Sequence, residues 1–286
     1  MKLLPSIAQS GLLNNVHCID AFELCRCLPP QSVDMILTDP PYGVHEATWD
    51  KRPDLDAMWQ AFKRVIKPRG AIVMTASQPF DALLICSNLE MYKYSWVWVK
   101  SMVGDFFRAK LKPLRLHEMI VVFSPGTVAN CSPHLMRYYP QGLVKNPSGR
   151  HHNNPSRMVM KKGDHIRATR PSWQAEYTQE WAEYPSDVLF FPNPNINSQH
   201  INQKPVALFE YLIRTYTQPG DVVLDPYVGS GTTAVAARNL NRRFVCGDTS
   251  PKYVAIARKR LAQPFTPNMF EVAPAPEPDL AERPLL

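Results

Sequence analysis

Two stretches of the 286-residue chain combine residue types that could hold and activate a small nitrogenous group. The first is Thr38-Asp39-Pro40-Pro41-Tyr42-Gly43, directly after the apolar run Val33 to Leu37. Such a run ahead of a Pro-rich turn reads as a buried strand, and ligands of open α/β sheets bind at the carboxyl edge of the strands. Adjacent prolines fix φ and carry no N–H, so their carbonyls stay free to accept. Asp39 adds a carboxylate acceptor and Tyr42 a flat ring. Together they suit an aromatic amine, gripped by acceptors that raise its nucleophilicity and stacked on the ring. The plainer alternative is a strand-ending turn, in which Asp and Pro are common.

The second stretch, Val222-Val223-Leu224-Asp225-Pro226-Tyr227-Val228-Gly229-Ser230-Gly231-Thr232-Thr233, reads as strand, glycine-rich turn and helix. Glycines let backbone approach a ligand, and a helix N-terminus attracts a carboxylate or phosphate. No Lys precedes Thr232 and the glycine spacing is not that of a Walker loop. Asp225 at the strand end also departs from a dinucleotide fingerprint, and an acid there favours a ligand with a cationic amine. A further acid, Asp248, follows the next apolar run 23 residues beyond Asp225, where ribose hydroxyls are bound in such folds. Amine, carboxylate and ribose together describe S-adenosylmethionine better than a nucleotide.

The elements that must position these residues alternate. Val16 to Asp20, Val33 to Leu37, Ala71 to Thr75, Ser95 to Val99, Met119 to Phe123, Val222 to Leu224 and Phe244 to Cys246 read as strands. Ala21 to Leu28, Leu55 to Ile66, Phe80 to Leu89, Val206 to Thr215, Thr232 to Asn239 and Tyr253 to Leu261 carry apolar residues at helical spacing. This alternation predicts a doubly wound, mostly parallel sheet. Between Gly126 and Tyr184 the periodicity fades while Pro, Asn, His and Arg rise. The tail from Pro264 has six prolines in 23 residues and no pattern, which predicts disorder.

The net charge of +7 is concentrated. Arg137, Lys145, Arg150, Arg157, Lys161, Lys162, Arg167 and Arg170 are opposed between Gly126 and Ser172 only by Asp164, and the rest of the chain balances at 24 basic against 24 acidic residues. A basic island on a neutral body is the footprint of a polyanion-binding insert, whereas a merely solubilising loop would mix signs. Arg108, Lys110, Lys112 and Arg115 add a second basic run. No apolar run reaches the length of a membrane span, and the first residues lack the apolar core of a signal peptide. The six cysteines show no metal-ligand spacing, so no metal is expected and a reducing cytoplasm fits.

Taken together, the chain resembles the beta group of DNA amino-methyltransferases, in which an Asp-Pro-Pro-Tyr motif precedes the methyl-donor motif. The resemblance spans Ser32 to Gly43, Trp49-Asp50, Lys67-Pro68 with Gly70, Ser77-Gln78-Pro79-Phe80 and Pro113 with His117-Glu118. It continues through Gln203-Lys204-Pro205-Val206-Ala207-Leu208, Asp225 to Thr233 and Arg242-Arg243-Phe244. Two departures are His200-Ile201-Asn202, where the family usually has His-Pro-Thr, and Asp248, where Glu is commoner. The resemblance implies an α/β, Rossmann-like methyltransferase fold with a mostly parallel seven-stranded sheet. The catalytic domain would comprise 1–125 and 185–263, with a target-recognition insert at 126–184.

It further implies that Asp39 and the carbonyl of Pro40, in the turn with Pro41, hold the target amine while Tyr42 stacks on a flipped base. Asp225, Pro226, Gly229, Gly231 and Thr232 would surround the methionine half of S-adenosylmethionine, Asp248 its ribose and Asp20 its adenine, with Lys204 on the cofactor side. The basic residues Arg108, Lys110, Lys112, Arg137, Arg150, Arg157, Lys161, Lys162, Arg167 and Arg170 would grip DNA phosphates. The partner implied is double-stranded DNA, with a second copy of the chain and a cognate restriction enzyme left open. Adenine N6 is the expected target, since cytosine-N4 members usually carry Ser at the position of Asp39. Cytosine-N4 methylation and a catalytically inactive DNA-binding subunit remain the alternatives.

Overall fold

In the computed structural model, residues 7, 11–43, 51–104, 106–129, 132–153, 176–193 and 203–264 are described. The element order is β1 (Asn15–Cys18), α1 (Ala21–Cys27), β2 (Val33–Thr38), α2 (Leu55–Val65), β3 (Ile66–Ala76), α3 (Phe80–Cys86), β4 (Tyr92–Gly104) and β5 (Arg115–Phe123). There follow β6 (Val144–Asn153), β7 (Glu176–Ala182), β8 (Val188–Phe190), α4 (Val206–Tyr216), β9 (Val222–Asp225), α5 (Thr232–Asn239), β10 (Arg243–Asp248) and α6 (Pro251–Ala262).

Eight of the strands form one sheet in the order β1-β10-β9-β2-β3-β5-β4-β8, one strand more than the resemblance implies. The five from β1 to β3 are mutually parallel, β5 runs antiparallel to both β3 and β4, and β8 is parallel to β4. Two apolar layers sandwich the sheet. Leu24 of α1, Met58, Trp59 and Phe62 of α2 and Phe80 and Leu84 of α3 pack on one face; Leu208, Leu212 and Tyr216 of α4, Ala234 and Ala237 of α5 and Val254 of α6 pack on the other. Central strands buried on both sides need continuous apolar residues rather than alternation, which is why β9 and, apart from Asp34, β2 read as short apolar runs.

Local chemistry fixes the ends. Asp20 caps α1, its Oδ1 accepting from the N–H groups of Phe22 at 2.8 Å and Glu23 at 3.2 Å. Asp54 caps α2 in the same manner. Lys67-Pro68-Arg69-Gly70, just after α2, belong to the opening of β3, because Ile66 already pairs with Val33 of β2.

One charged residue sits inside the central strand. Asp34 of β2 is fully buried, and its carboxylate receives Lys67 Nζ at 2.7 Å, Arg137 at 2.8 Å and the Val222 N–H at 3.0 Å. Arg137 also reaches Asp221 at 2.9 Å. The segment around it belongs to the body of the domain: Arg137 N–H donates to Arg69 O, Tyr139 N–H to Thr215 O, and Met136, Tyr139 and Leu143 are buried. The separate antiparallel ribbon is confined to β6 and β7.

Candidate functional site

β2 and β9 lie side by side, and the chain leaves β2 toward β3 on one side while β9 leads to β10 on the other. Their carboxyl ends therefore form a topological switch point, where open α/β sheets bind ligands. A cleft of about 1150 Å³ opens there. Asp39, Pro40, Pro41 and Tyr42 line it from the turn after β2, and Asp225, Pro226, Gly229 and Thr232 line it from the turn after β9. Asp20, Asp248 and Lys204 complete that wall. The two motifs, 187 positions apart, are joined directly: Thr38 Oγ1 donates to Asp225 Oδ1 at 2.6 Å.

Asp225 is buried to 2% exposure and clasped by hydroxyls. Thr233 Oγ1 donates to its Oδ2, and the Tyr227 N–H to its Oδ1 at 3.1 Å. Burial outweighs these bonds and pushes its pKa up to about 7, with Asp39 adding to the rise. A carboxylate so poor in solvation gains strongly from a cationic partner. Asp248 organises the glycine turn, accepting from Gly229 N–H at 3.0 Å and Ser250 N–H at 2.7 Å. Each of its oxygens keeps a second acceptor position. Gly231 adopts φ +92°, and a Cβ there would stand 2.7 Å from that of Ala257. The tight turn delivers α5 with no side chain capping its N-terminus, and Thr232 and Thr233 of its first turn line the cleft. A cationic amine at Asp225, a carboxylate at α5 and hydroxyls at Asp248 all find fitting partners.

The Asp39 end is a polar knot. Tyr42 Oη donates to Asp39 Oδ1 at 2.5 Å, and Thr75 Oγ1 donates to the same oxygen. Phe80 backs the Tyr42 ring at 5.3 Å between centroids and 23° between planes. Burial, followed by the Asp39 charge, drives the Tyr42 phenol well above its ordinary range, so it remains a donor. Lys204 Nζ lies 3.0 Å from Asp39 Oδ2 and 3.1 Å from Glu118 Oε2. Lys100 pairs with Glu118 Oε1. The Lys204 side chain is thus at the Asp39 end, and only its carbonyl touches the glycine turn, accepting from Thr232 Oγ1 at 3.4 Å.

Of the basic residues, Arg108 and Lys112 line the cleft together with Lys51, Lys100 and Arg115, whereas Lys110 is exposed beside it. Arg137 is directed into the Asp34–Asp221 ion pairs under the sheet, not toward the cleft. Arg150 lies on β6; Arg157, Lys161, Lys162, Arg167 and Arg170 fall outside the described residues, as do Trp49-Asp50, His200-Ile201-Asn202 and 265–286. Thr75, Lys100 and Glu118 carry no role in the sequence reading. Glu118, an acid opening an otherwise apolar strand core, was the one visible signal. Among the described residues no cluster of His, Cys, Asp and Glu could hold a metal ion, and no helix is long and apolar enough to cross a membrane.

Comparison with known proteins places this architecture. A family model for N6/N4 methyltransferases, described as DNA methylase, matches residues 33–259. The type II methyltransferase M.BglII of Bacillus subtilis is 28% identical over 93% of this chain and 74% of its own length. The DNA adenine methyltransferase YhdJ of Escherichia coli (strain K12) is 26% identical over 85% of this chain and 80% of its own. Among solved structures, the M1.HpyAVI–SAM complex superposes with a TM-score of 0.55 at 23% identity, covering 87% of this chain and 99% of that one. The cytosine-N4-specific PvuII DNA methyltransferase superposes at 0.59 with 16% identity, covering 87% and 86%. At these identities the structural likeness speaks to fold.

Proposed function

The chain belongs to the DNA methylase family of N6 and N4 amino-methyltransferases, and from that premise we propose that it methylates adenine N6 in duplex DNA with S-adenosylmethionine as donor. The observation that carries this reading is the hydrogen bond from Thr38 to Asp225, which locks the amine-accepting turn against the glycine turn in one cleft. When bound, the donor supplies an electrophilic methyl group on a sulfonium. The residues fitted to hold it are Asp225 for its ammonium, the Gly229–Thr232 turn with Pro226 for its carboxylate end, Asp248 for ribose hydroxyls and Asp20 for the adenine.

An exocyclic amine is a weak nucleophile because its lone pair is delocalised into the ring. Asp39 and the Pro40 carbonyl accept its N–H groups, favour a pyramidal nitrogen and stabilise the positive charge that develops as the N–CH₃ bond forms. The surplus proton then leaves the nitrogen for water. A duplex base reaches this cleft only by flipping, and the Tyr42 ring in the cleft wall replaces the lost stacking. Arg108, Lys112 and Arg115 at the cleft, with the basic residues of 144–182, neutralise phosphates. The ribbon and the residues between its strands form the target-recognition region. The protein works in the cytoplasm on double-stranded DNA, alone or as a homodimer, and alongside a cognate restriction enzyme if one is encoded with it.

Adenine is favoured over cytosine by Asp39 itself, since a carboxylate offsets more charge on the reacting nitrogen than a hydroxyl would. The similarity to a relative named as an adenine methyltransferase supports the same choice. Expression in a methylation-free host, with nucleoside mass spectrometry and modification-sensitive sequencing, should yield N6-methyladenine at one sequence context. N4-methylcytosine alone would overturn the target atom and leave the donor site standing.

A further inference from the structure

Lys204 and Glu118 have no task in the reaction as described, yet both are buried at its centre. Neither can move a proton. Burial works against the Lys204 charge, but Asp39, Tyr42 and Glu118 outweigh it and hold the ammonium well above the ordinary lysine range. Burial likewise opposes ionisation of Glu118, and Lys204 and Lys100 reverse that, leaving its carboxyl below the ordinary range. Both act as fixed charges.

Their geometry bears on how Asp39 can work. A carboxylate oxygen offers about two acceptor positions. Those of Asp39 Oδ1 are filled by Tyr42 and Thr75, so a target amine must use Oδ2, the oxygen on which Lys204 sits at 3.0 Å. A nitrogen turning cationic there meets an ammonium at close range, which opposes the reaction unless that charge is drawn off. Glu118 Oε2 is 3.1 Å from the same ammonium, is buried, and receives no aligned hydrogen bond, so it has an acceptor position to spare. Lys100 ties the other oxygen of Glu118, which keeps the carboxylate from following Lys204 toward Asp39. The four side chains sum to zero charge, so the ammonium can shift between carboxylates without a change of net charge.

We propose that Lys204 and Glu118 are positioning residues for methyl transfer: Lys204 occupies Asp39 Oδ2 while the site is empty, and Glu118 draws its ammonium away as the target nitrogen becomes positive. This rests on the assignment of Asp39 as the amine acceptor. Glu118 then matters only because Lys204 is charged, and that dependence gives the test.

Single-turnover rates are measured on the full chain with saturating donor and duplex, alongside both dissociation constants. E118Q should slow transfer about 100-fold, because an uncompensated buried ammonium then faces the forming cation. Donor and duplex affinities should stay within about twofold, which a general loss of structure would not allow. Adding K204M to E118Q should restore much of the rate, and the double variant should match K204M alone within about twofold. That last comparison stands even if E118Q by itself fails to fold. A double variant much slower than K204M, or an E118Q enzyme of normal rate, overturns the proposal. D39A run in parallel separates the levels: retained turnover there removes the acceptor assignment itself, whereas a dead D39A enzyme beside a failed cycle removes only the role of the pair.

Discussion

Replacing Asp225 by Asn should make the protein more stable and useless. Asp225 is 2% exposed, and burial raises its carboxyl from an ordinary 3.8 to about 7. Because the folded pKa lies above the unfolded one, the folded state binds the extra proton, and stability falls as pH rises between about 4 and about 7. Holding the carboxylate ionised above that window costs about 4 kcal/mol, from 1.36 kcal/mol for each tenfold change in acidity. Asn is a neutral isostere. Its oxygen can accept from Thr38 and the Tyr227 N–H, while Thr233, whose hydroxyl also lies 3.5 Å from Leu37 O, can turn to accept from the amide.

Without donor, D225N should therefore exceed the parent protein by about 4 kcal/mol at pH 8, narrowing to about 2 kcal/mol at pH 5. Urea unfolding of both proteins from pH 5 to 8 reads this difference, and calorimetry at pH 8 should find donor binding lost in the variant. Parallel pH–stability curves would refute the claim that desolvation of Asp225 is stored in the fold. Normal donor affinity in D225N would refute its role at the ammonium.

Other expectations follow from particular interactions. R137M should lose about 2–3 kcal/mol in urea unfolding, less than the usual 3–5 because Lys67 still faces Asp34, and its salt dependence of DNA binding should not change. Changing Arg108, Lys112 and Arg115 together to Gln should flatten the slope of log affinity against log salt by about 2–3, near 0.9 for each phosphate no longer neutralised. G231A should cost about 2–4 kcal/mol, since its Cβ would strike Ala257 in a left-handed backbone, while G229A, with no atom within 4 Å, should cost only about 1 kcal/mol.

Much of this was legible in one dimension because it is local. Apolar runs flanked by Pro, Gly and Asp marked β2, β9 and α5, and the observed α5 coincides with the predicted Thr232–Asn239. Motif order and residue type placed Asp39 and Asp225 at strand ends, since a turn after a buried strand has few other places to go. Strand counts and ends were less legible: β4 and β5 extend well past their apolar cores into polar residues, because a ladder partner, not hydrophobicity, decides where pairing stops.

What composition suggested about charge needed the third dimension. Arg137 stands in a basic island by sequence, yet the chain carries it to a buried acid in β2, where Coulomb attraction in a poorly solvated place outweighs solvation. Lys204 stands beside a motif read as cofactor-facing, yet its side chain spans to Asp39 and Glu118. The sequence alone determined the strand-ending motifs and the alternation that builds the sheet. Which charges face one another across 86 or 165 positions was decided only when the sheet brought β2, β5 and the start of α4 to one edge, because ion pairing depends on distance and burial and neither is written along the chain.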